Sequence, residues 1–532
     1  SAEVGTSFSF THFDGSLAPY ADLNAVGKSG AIDFNASVYV EKTNGQFDAD
    51  GDRIHPDPNG QGGMADSEIY NLFLKVGSTF GDQRVELSAL YYDHTQDSDY
   101  NTRINGSVAD GIKTTAAEGA LDERAIPTGN SNLLLNGSYS HEDIMGSSMQ
   151  VLAYYQEYEN IFGFSDFYPE DGQSVIQSNK HGLRFDVNTP LNESGANVLW
   201  GVDYAVDTTE QFVLNSGLGD RSVRVWAPEV KQTGLAGFAQ ATVPLGDVVT
   251  LRGGVRHEEI DVSFDGFTAL FSGVTVQPGE ASYSATTFNA GGNFAVADWL
   301  DLYASYSEGF STAEVGRVLR QADETTDFAN SEIEASVVKA SEIGARFDFG
   351  DYRASIAAYR AKSNLGTSIT ADLQISRAPE KTYGFEVTFD ATPTDKLSYG
   401  GSLTYTNGKK DTDEDGDFDR FLGSNRTGPV KLTGYVSYDV SEKLSTRLQA
   451  LYSAKRDPFE TIQGFAEAPV EAYTVVDFSA SYQISEAGSV TLGVHNLLNA
   501  DYFSLASQFF NRDDRYSKAP GRTMKLSYTA NF

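Results

Sequence analysis

There is no cysteine among the 532 residues, which removes disulfides, thiol nucleophiles and thiolate metal sites together. Histidine is sparse. His12, His55, His94, His141, His181, His257 and His495 are scattered and form no His-x-x-x-His pair, so metal catalysis has little to build on. No Gly-x-Ser-x-Gly elbow and no phosphate loop stands out, and no enzyme activity is expected. No run approaches the ~18 consecutive apolar residues of a membrane helix, and the mean hydropathy is −0.34. A helical membrane protein is thereby excluded, but a β-barrel is not, because half-polar strands dilute the hydropathy signal. Basic residues are outnumbered, 39 Lys and Arg against 74 Asp and Glu, giving a net charge of −35. That balance argues against nucleic acid and anionic surfaces as partners. Ser1 is no initiator and no signal peptide precedes it, so a processed or truncated chain is expected.

What is plentiful is aromatic and glycine: 28 Tyr, 33 Phe and 51 Gly, with three Trp. The chain closes on a clean alternation. Met524, Leu526, Tyr528, Ala530 and Phe532 share one face, while Thr523, Lys525, Ser527, Thr529 and Asn531 share the other. A period of two marks a strand with one apolar face. Similar alternation runs through Tyr383–Asp390, Leu302–Ser307, Val476–Tyr482 and Val490–Val494. A terminal strand frays unless something pairs it, and closure into a barrel pairs it on both edges.

Two kinds of link take turns between such strands. Short turn signals fall near Gly27–Gly30, Gly81–Gln83, Gly146–Ser148, Asn192–Gly195, Leu245–Asp247, Val296–Trp299, Gly350–Tyr352, Thr394–Lys396, Ser441–Lys443 and Ser485–Gly488. Gly, Asp, Asn and Ser suit tight hairpins through positive φ or bonds to their own backbone. Longer polar links include about 42–66, 93–131, 207–231, 308–340, 406–429 and 498–522. Ten turns and eleven longer links join 22 strands, the size of the large plugged barrels of outer membranes. The expected fold is all-β, a 22-stranded antiparallel transmembrane barrel over residues 1–532, with short periplasmic turns and long extracellular loops. Lys525 and Glu386 should then face the lumen, Tyr and Phe near strand ends should form interfacial girdles, and Phe532 should end at the periplasmic rim.

Several segments resemble one family. Tyr303–Phe310 (YASYSEGF) with Ser311–Arg320 (STAEVGRVLR), Val494–Tyr502 (VHNLLNADY), Pro520–Phe532 (PGRTMKLSYTANF), Leu251–Glu258 (LRGGVRHE) and Ser376–Phe385 (SRAPEKTYGF) are similar to TonB-dependent outer-membrane receptors. Within that family the resemblance is to siderophore receptors of the aerobactin-receptor type. It implies a location in the Gram-negative outer membrane, among lipid and lipopolysaccharide, and uptake of a ferric siderophore or similar scarce nutrient. It also implies an N-terminal plug domain that engages the TonB complex. Ser1–Phe10 already reads as a first barrel strand, so the plug is expected from the family but absent from this sequence. A passive porin or surface-binding barrel with no plug is the alternative. The aromatic-ended last strand resembles the family's signal for barrel assembly, so Met524, Leu526, Tyr528 and Phe532 are assigned to barrel closure. Haem uptake is disfavoured, because Phe310-Ser311-Thr312-Ala313 stands where a haem receptor carries Phe-Arg-Ala-Pro.

Candidate site residues follow from chemistry. Arg317, Arg320 and Arg377 could grip the carboxylates of an anionic ferric chelate, since guanidinium binds carboxylate bidentately. Phe162, Phe164, Tyr168 and Trp226 lie in or beside long links and could pack on it. The competing reading is that the arginines only neutralise crowded acidic loops. Asp48, Asp50 and Asp52, and likewise Asp411, Asp413, Asp415 and Asp417, echo calcium-loop spacing, with Gly51 and Gly416 to turn the chain. The twelfth position counted from Asp411 is Leu422, not the bidentate Glu of an EF-hand, and solvated acidic loop tips are the alternative to calcium.

Overall fold

The computed structural model describes residues 1–56, 65–103, 105–119, 125–165, 167–214, 223–312, 315–323, 335–369, 375–464 and 466–532. Parts of the links near 42–66, 93–131, 207–231 and 308–340, including Ala313, lie outside the described residues.

Each long strand pairs antiparallel with its neighbour in sequence, from Ala2–Ser9 to Thr523–Ala530, and the last returns to the first. Twenty-two strands close this ring, and a two-residue piece, Arg420–Phe421, adds to one edge of a loop. All ten expected short turns are present at one rim. Gly30, Gly81, Gly146, Gly246 and Gly350 hold positive φ in them, as tight hairpins require. The eleven longer links lie at the other rim. Closure pairs the first strand with the last, so the membrane-spanning wall has no free edge strand and its backbone groups bond to one another rather than to lipid.

The strand Ser67–Phe80 shows why these residues form a wall. Tyr70, Leu72, Leu74 and Val76 all point outward and are exposed, while Asn71 and Lys75 alternate inward. Register aligns Leu72 with Val38 and Tyr91, and Val76 with Phe34 and Leu87, so the apolar belt continues from strand to strand. In water this exposure would be costly; against lipid it is the stable arrangement. The inner face carries ion pairs. Arg84 donates to Asp33 at 2.7 and 2.9 Å and to Glu86 at 2.8 Å. Asp203 accepts from Arg184 at 2.8 Å and from Arg256 at 2.6 Å.

The final strand behaves as its pattern requires. Leu526 and Tyr528 face out beside Thr6 and Val4 on one side and Leu492 and Val490 on the other. Met524 aligns with Phe8 and Val494. Lys525 faces the lumen, its Nζ 4.2 Å from the centroid of the Tyr20 ring. Glu3 ties the seam from inside, accepting from Tyr20 Oη at 2.5 Å and Thr529 Oγ1 at 2.8 Å. Glu386, between Phe385 and Val387 and level with Ala357 and Thr404, takes the inner face too.

Two expectations shift. The strand ends at Ala530, and Phe532 lies beyond it, 89% exposed, at the rim of the short turns. The stretch 207–231, read as a long link, is largely strand: Asn197–Leu214 and Val223–Leu245 stay paired to Leu214 and Val223, with the register shifting on either side of Gln211. Strands that rise above the membrane are wet on both faces, so their polar residues mimic a loop. Among the described residues, no apolar cluster fills the barrel interior. The buried clusters sit under the long links instead, one around Val230, Val262, Phe264 and Leu319, another around Ala466, Val470 and Phe509.

Candidate functional site

A short helix, Val315–Arg320, lies in the long link after the strand Leu300–Ser311. Val315 and Leu319 are four residues apart and therefore share a face. Both are buried against Val230, Val262 and Phe264. That anchoring directs Arg317 and Arg320 to a cavity of about 220 Å³, which they line together with Asp207, Thr209, Glu210 and Gln211 from the extended strands. The cavity thus offers guanidinium donors and carboxylate acceptors side by side. Asp207 already has a cation of its own, Lys180 Nζ at 2.8 Å.

Beside the cavity stands a group of four rings. Tyr168 packs edge-on to Trp226 at 5.1 Å, and Phe167 lies 5.2 Å from Phe271 and 5.3 Å from Tyr168. Arg320 holds its guanidinium 4.7 Å from the centroid of a Trp226 ring, joining the charged and aromatic parts through a cation–π contact. Burial pushes the Tyr168 phenol pKa up, against smaller opposing effects of Ser174 and Arg320. The phenol therefore stays protonated and able to donate a hydrogen bond at neutral pH.

Arg317, Arg320, Tyr168 and Trp226 are thus brought together. Arg377, at the start of the strand Ile375–Thr394, lies within electrostatic reach of Tyr283, which packs against the cluster around Leu319. Phe162 and Phe164 sit on the strand Ser147–Ser165 that leads into the Phe167 and Tyr168 link. Phe167, Phe271, Asp207 and Glu210 carry no motif. The signal that could have found them is the concentration of aromatics in links next to extended strands.

The two acidic clusters differ. Carboxylate oxygens of Asp48, Asp50 and Asp52 lie within 4.8 Å of one another, and so do those of Asp411, Asp413 and Asp415. At the first, Lys113 reaches in and contacts all three, at 2.5, 2.9 and 2.8 Å. Partial burial works against the Lys113 charge, but its three carboxylate bonds outweigh that and raise its pKa. The Lys113 bond in turn lowers the pKa of Asp50. Here the ammonium supplies the cation. Asp417 lies beyond the second trio, its N–H bonded to Asp415 Oδ1 at 2.8 Å.

The closing motif proves to be architectural. Asn496 and Asn499 adopt positive φ, which Asn tolerates better than most residues. Asn496 Nδ2 donates to the carbonyls of Ala500 and Pro520, and Asn499 Nδ2 donates to the Ala49 carbonyl at 3.0 Å. Asn499 Oδ1 accepts the Arg522 N–H, and Gly521 N–H bonds the Phe47 carbonyl. The Asn-Leu-Leu-Asn and Pro-Gly-Arg pieces therefore fasten the last link to the Asp48 loop.

Comparison with known proteins agrees with this geometry. Residues 70–497 match the family model described as TonB dependent receptor-like, beta-barrel. Among curated proteins, the chain is similar to the rhizobactin receptor of Rhizobium meliloti (strain 1021), 25% identical over 90% of this chain and 69% of that protein. It is also 24% identical to the ferric aerobactin receptor of Klebsiella pneumoniae, over 95% of this chain and 75% of that one. Among solved structures, the copper transporter OprC superposes with a TM-score of 0.78 at 14% identity, covering all of this chain and 80% of its own. A closed 22-stranded barrel with segregated turns and loops, matched over most of its length, leads to one assignment: the chain belongs to the TonB-dependent receptor family of Gram-negative outer-membrane β-barrels, which are receptors and transporters and not enzymes.

Proposed function

We propose that this barrel captures an anionic ferric siderophore at its extracellular end and forms the passage for its uptake. The observation that carries the reading is the cavity lined by Arg317 and Arg320, with Arg320 lying over the Trp226 ring that packs against Tyr168. The names of the rhizobactin and aerobactin receptors support the ligand class. Guanidinium pairs give directed bonds to chelate carboxylates, and the rings cover its apolar face. Binding of ferric aerobactin and ferric rhizobactin to an Arg317→Ala/Arg320→Ala double variant tests it. Losing two charge-assisted hydrogen bonds should weaken binding by ~100-fold or more. Unchanged affinity would remove both residues from the site.

A lumen ringed by 22 strands is wide enough to conduct freely unless filled. We therefore propose that the working receptor includes a plug domain, through which TonB acts. In planar bilayers the barrel alone should conduct ions steadily, and the barrel with its plug should not. Equal conductance would favour the passive pore. The apolar belt is suited to outer-membrane lipid and lipopolysaccharide as neighbours.

A further inference from the structure

The link between the strands Leu397–Lys410 and Lys431–Ser441 carries Asp411, Asp413, Asp415, Asp417 and Asp419 at alternate positions. The chain turns sharply inside it, with φ of 60° at Glu414 and 95° at Gly416. That turn brings carboxylate oxygens of Asp411, Asp413 and Asp415 within 4.8 Å of one another. Asp419 fastens the ends, accepting from Thr412 N–H at 3.1 Å and Thr412 Oγ1 at 2.7 Å.

Acidic loops are common, and proximity of carboxylates is not by itself a site. Asp411 adds an independent observation. Its side chain is turned into the loop, with Oδ2 accepting the Gly416 N–H at 2.9 Å, and the residue is only 3% exposed. Its other oxygen, Oδ1, is buried with no hydrogen-bond partner. A buried carboxylate oxygen left unmet is unfavourable, the more so beside two further anions. The Asp48 cluster solves the same problem with Lys113. Among the described residues, no Lys or Arg forms an ion pair with Asp411, Asp413 or Asp415.

We propose that the 411–419 loop binds a hard divalent cation of the calcium class through Asp411, Asp413 and Asp415. The donors are all oxygens on a turning loop, which suits calcium better than a metal demanding nitrogen or sulfur. Leu422, at the twelfth position, is 1% exposed and anchors the loop from below. The site therefore lacks the bidentate acid of an EF-hand, and its affinity belongs in the ~10⁻⁴–10⁻³ M range of extracellular modules.

The test uses the intact folded barrel in detergent, with calcium chloride alone as the probe. Calorimetric titration and limited proteolysis of the 411–431 link are followed to ~5 mM calcium. Calcium should bind and slow cleavage of this link, and chelation should reverse the protection. Asp413→Asn/Asp415→Asn should raise the calcium needed by ~10-fold or more. Asp50→Asn should leave calcium binding unchanged, because Lys113 serves that cluster. Both changed residues of the double variant are exposed, and heat-modifiable gel mobility reports whether its barrel is folded. Gly416→Val, which strains the turn but keeps every carboxylate, should likewise weaken binding. No binding to ~5 mM, or unaltered binding in the double variant, would overturn the proposal.

Discussion

His55 is 1% exposed in the first long outer link, and its imidazole makes that link sensitive to acid. Nδ1 lies 3.1 Å from Thr102 Oγ1, and Nε2 has no hydrogen-bond partner among the described residues. Burial pulls the pKa from 6.5 down to about 4, only partly opposed by Asp514. Between those values the unfolded link takes up a proton that the folded link refuses. Stability is therefore complete above pH ~6.5 and is lost as pH falls toward ~4, by at most ~3 kcal/mol. Proteolysis of this link between pH 7 and 4 should show increasing cleavage on acidification, and His55→Asn should flatten the profile. A profile identical in the variant would exclude His55. Gly521 is a second residue whose environment dictates its identity. A Cβ there would stand 2.7 Å from the Asp48 carbonyl oxygen. Gly521→Val should loosen the last link from the Asp48 loop, seen as faster exchange of the amide hydrogens at positions 521 and 522, without unfolding the barrel.

At the scale of the strand, the two faces answer to different solvents. Leu74 sits near mid-strand on the lipid face, next to Lys75 on the lumen face, where Nζ lies 3.4 Å from Glu86. Leu74→Arg should destabilise insertion by ~2–4 kcal/mol, whereas Lys75→Arg should cost far less. Denaturant-driven unfolding from lipid bilayers measures both, and equal costs would contradict the assigned faces. Alternation made these faces legible in the sequence, because a period of two needs no tertiary information. The extended strands around 207–231 were not legible, because above the membrane neither face has to be apolar. The Asn-Leu-Leu-Asn piece was readable as a family mark, but its bonds to Ala49 and Pro520 span distant parts of the chain.

For the molecule as a whole, closure is the decisive event. The last strand pairs with both Gly488–His495 and Ala2–Ser9, so removing Thr523–Phe532 would expose two edges inside the membrane. Unpaired backbone groups there cost several kcal/mol each. The truncated chain should fail to give a heat-modifiable, protease-resistant barrel after refolding in detergent. A normal barrel from the truncated chain would show that the seam is dispensable. The wide lumen that results is the reason a plug is proposed for the working receptor.

The sequence by itself determined the local periods, the tight turns and the sorting of apolar residues to one face, and from these the strand number and the membrane. Those properties are set by a residue and its near neighbours. Tertiary structure alone decided which distant groups meet. Arg320 reaches Trp226, and Lys113 meets Asp48, Asp50 and Asp52, while Asp411 keeps a buried oxygen unmet. Two acidic loops of nearly the same spacing thus differ because a lysine more than sixty residues from the first folds back onto it. Spacing records what a loop can offer a cation, and only the fold records whether one of its own side chains already fills that role.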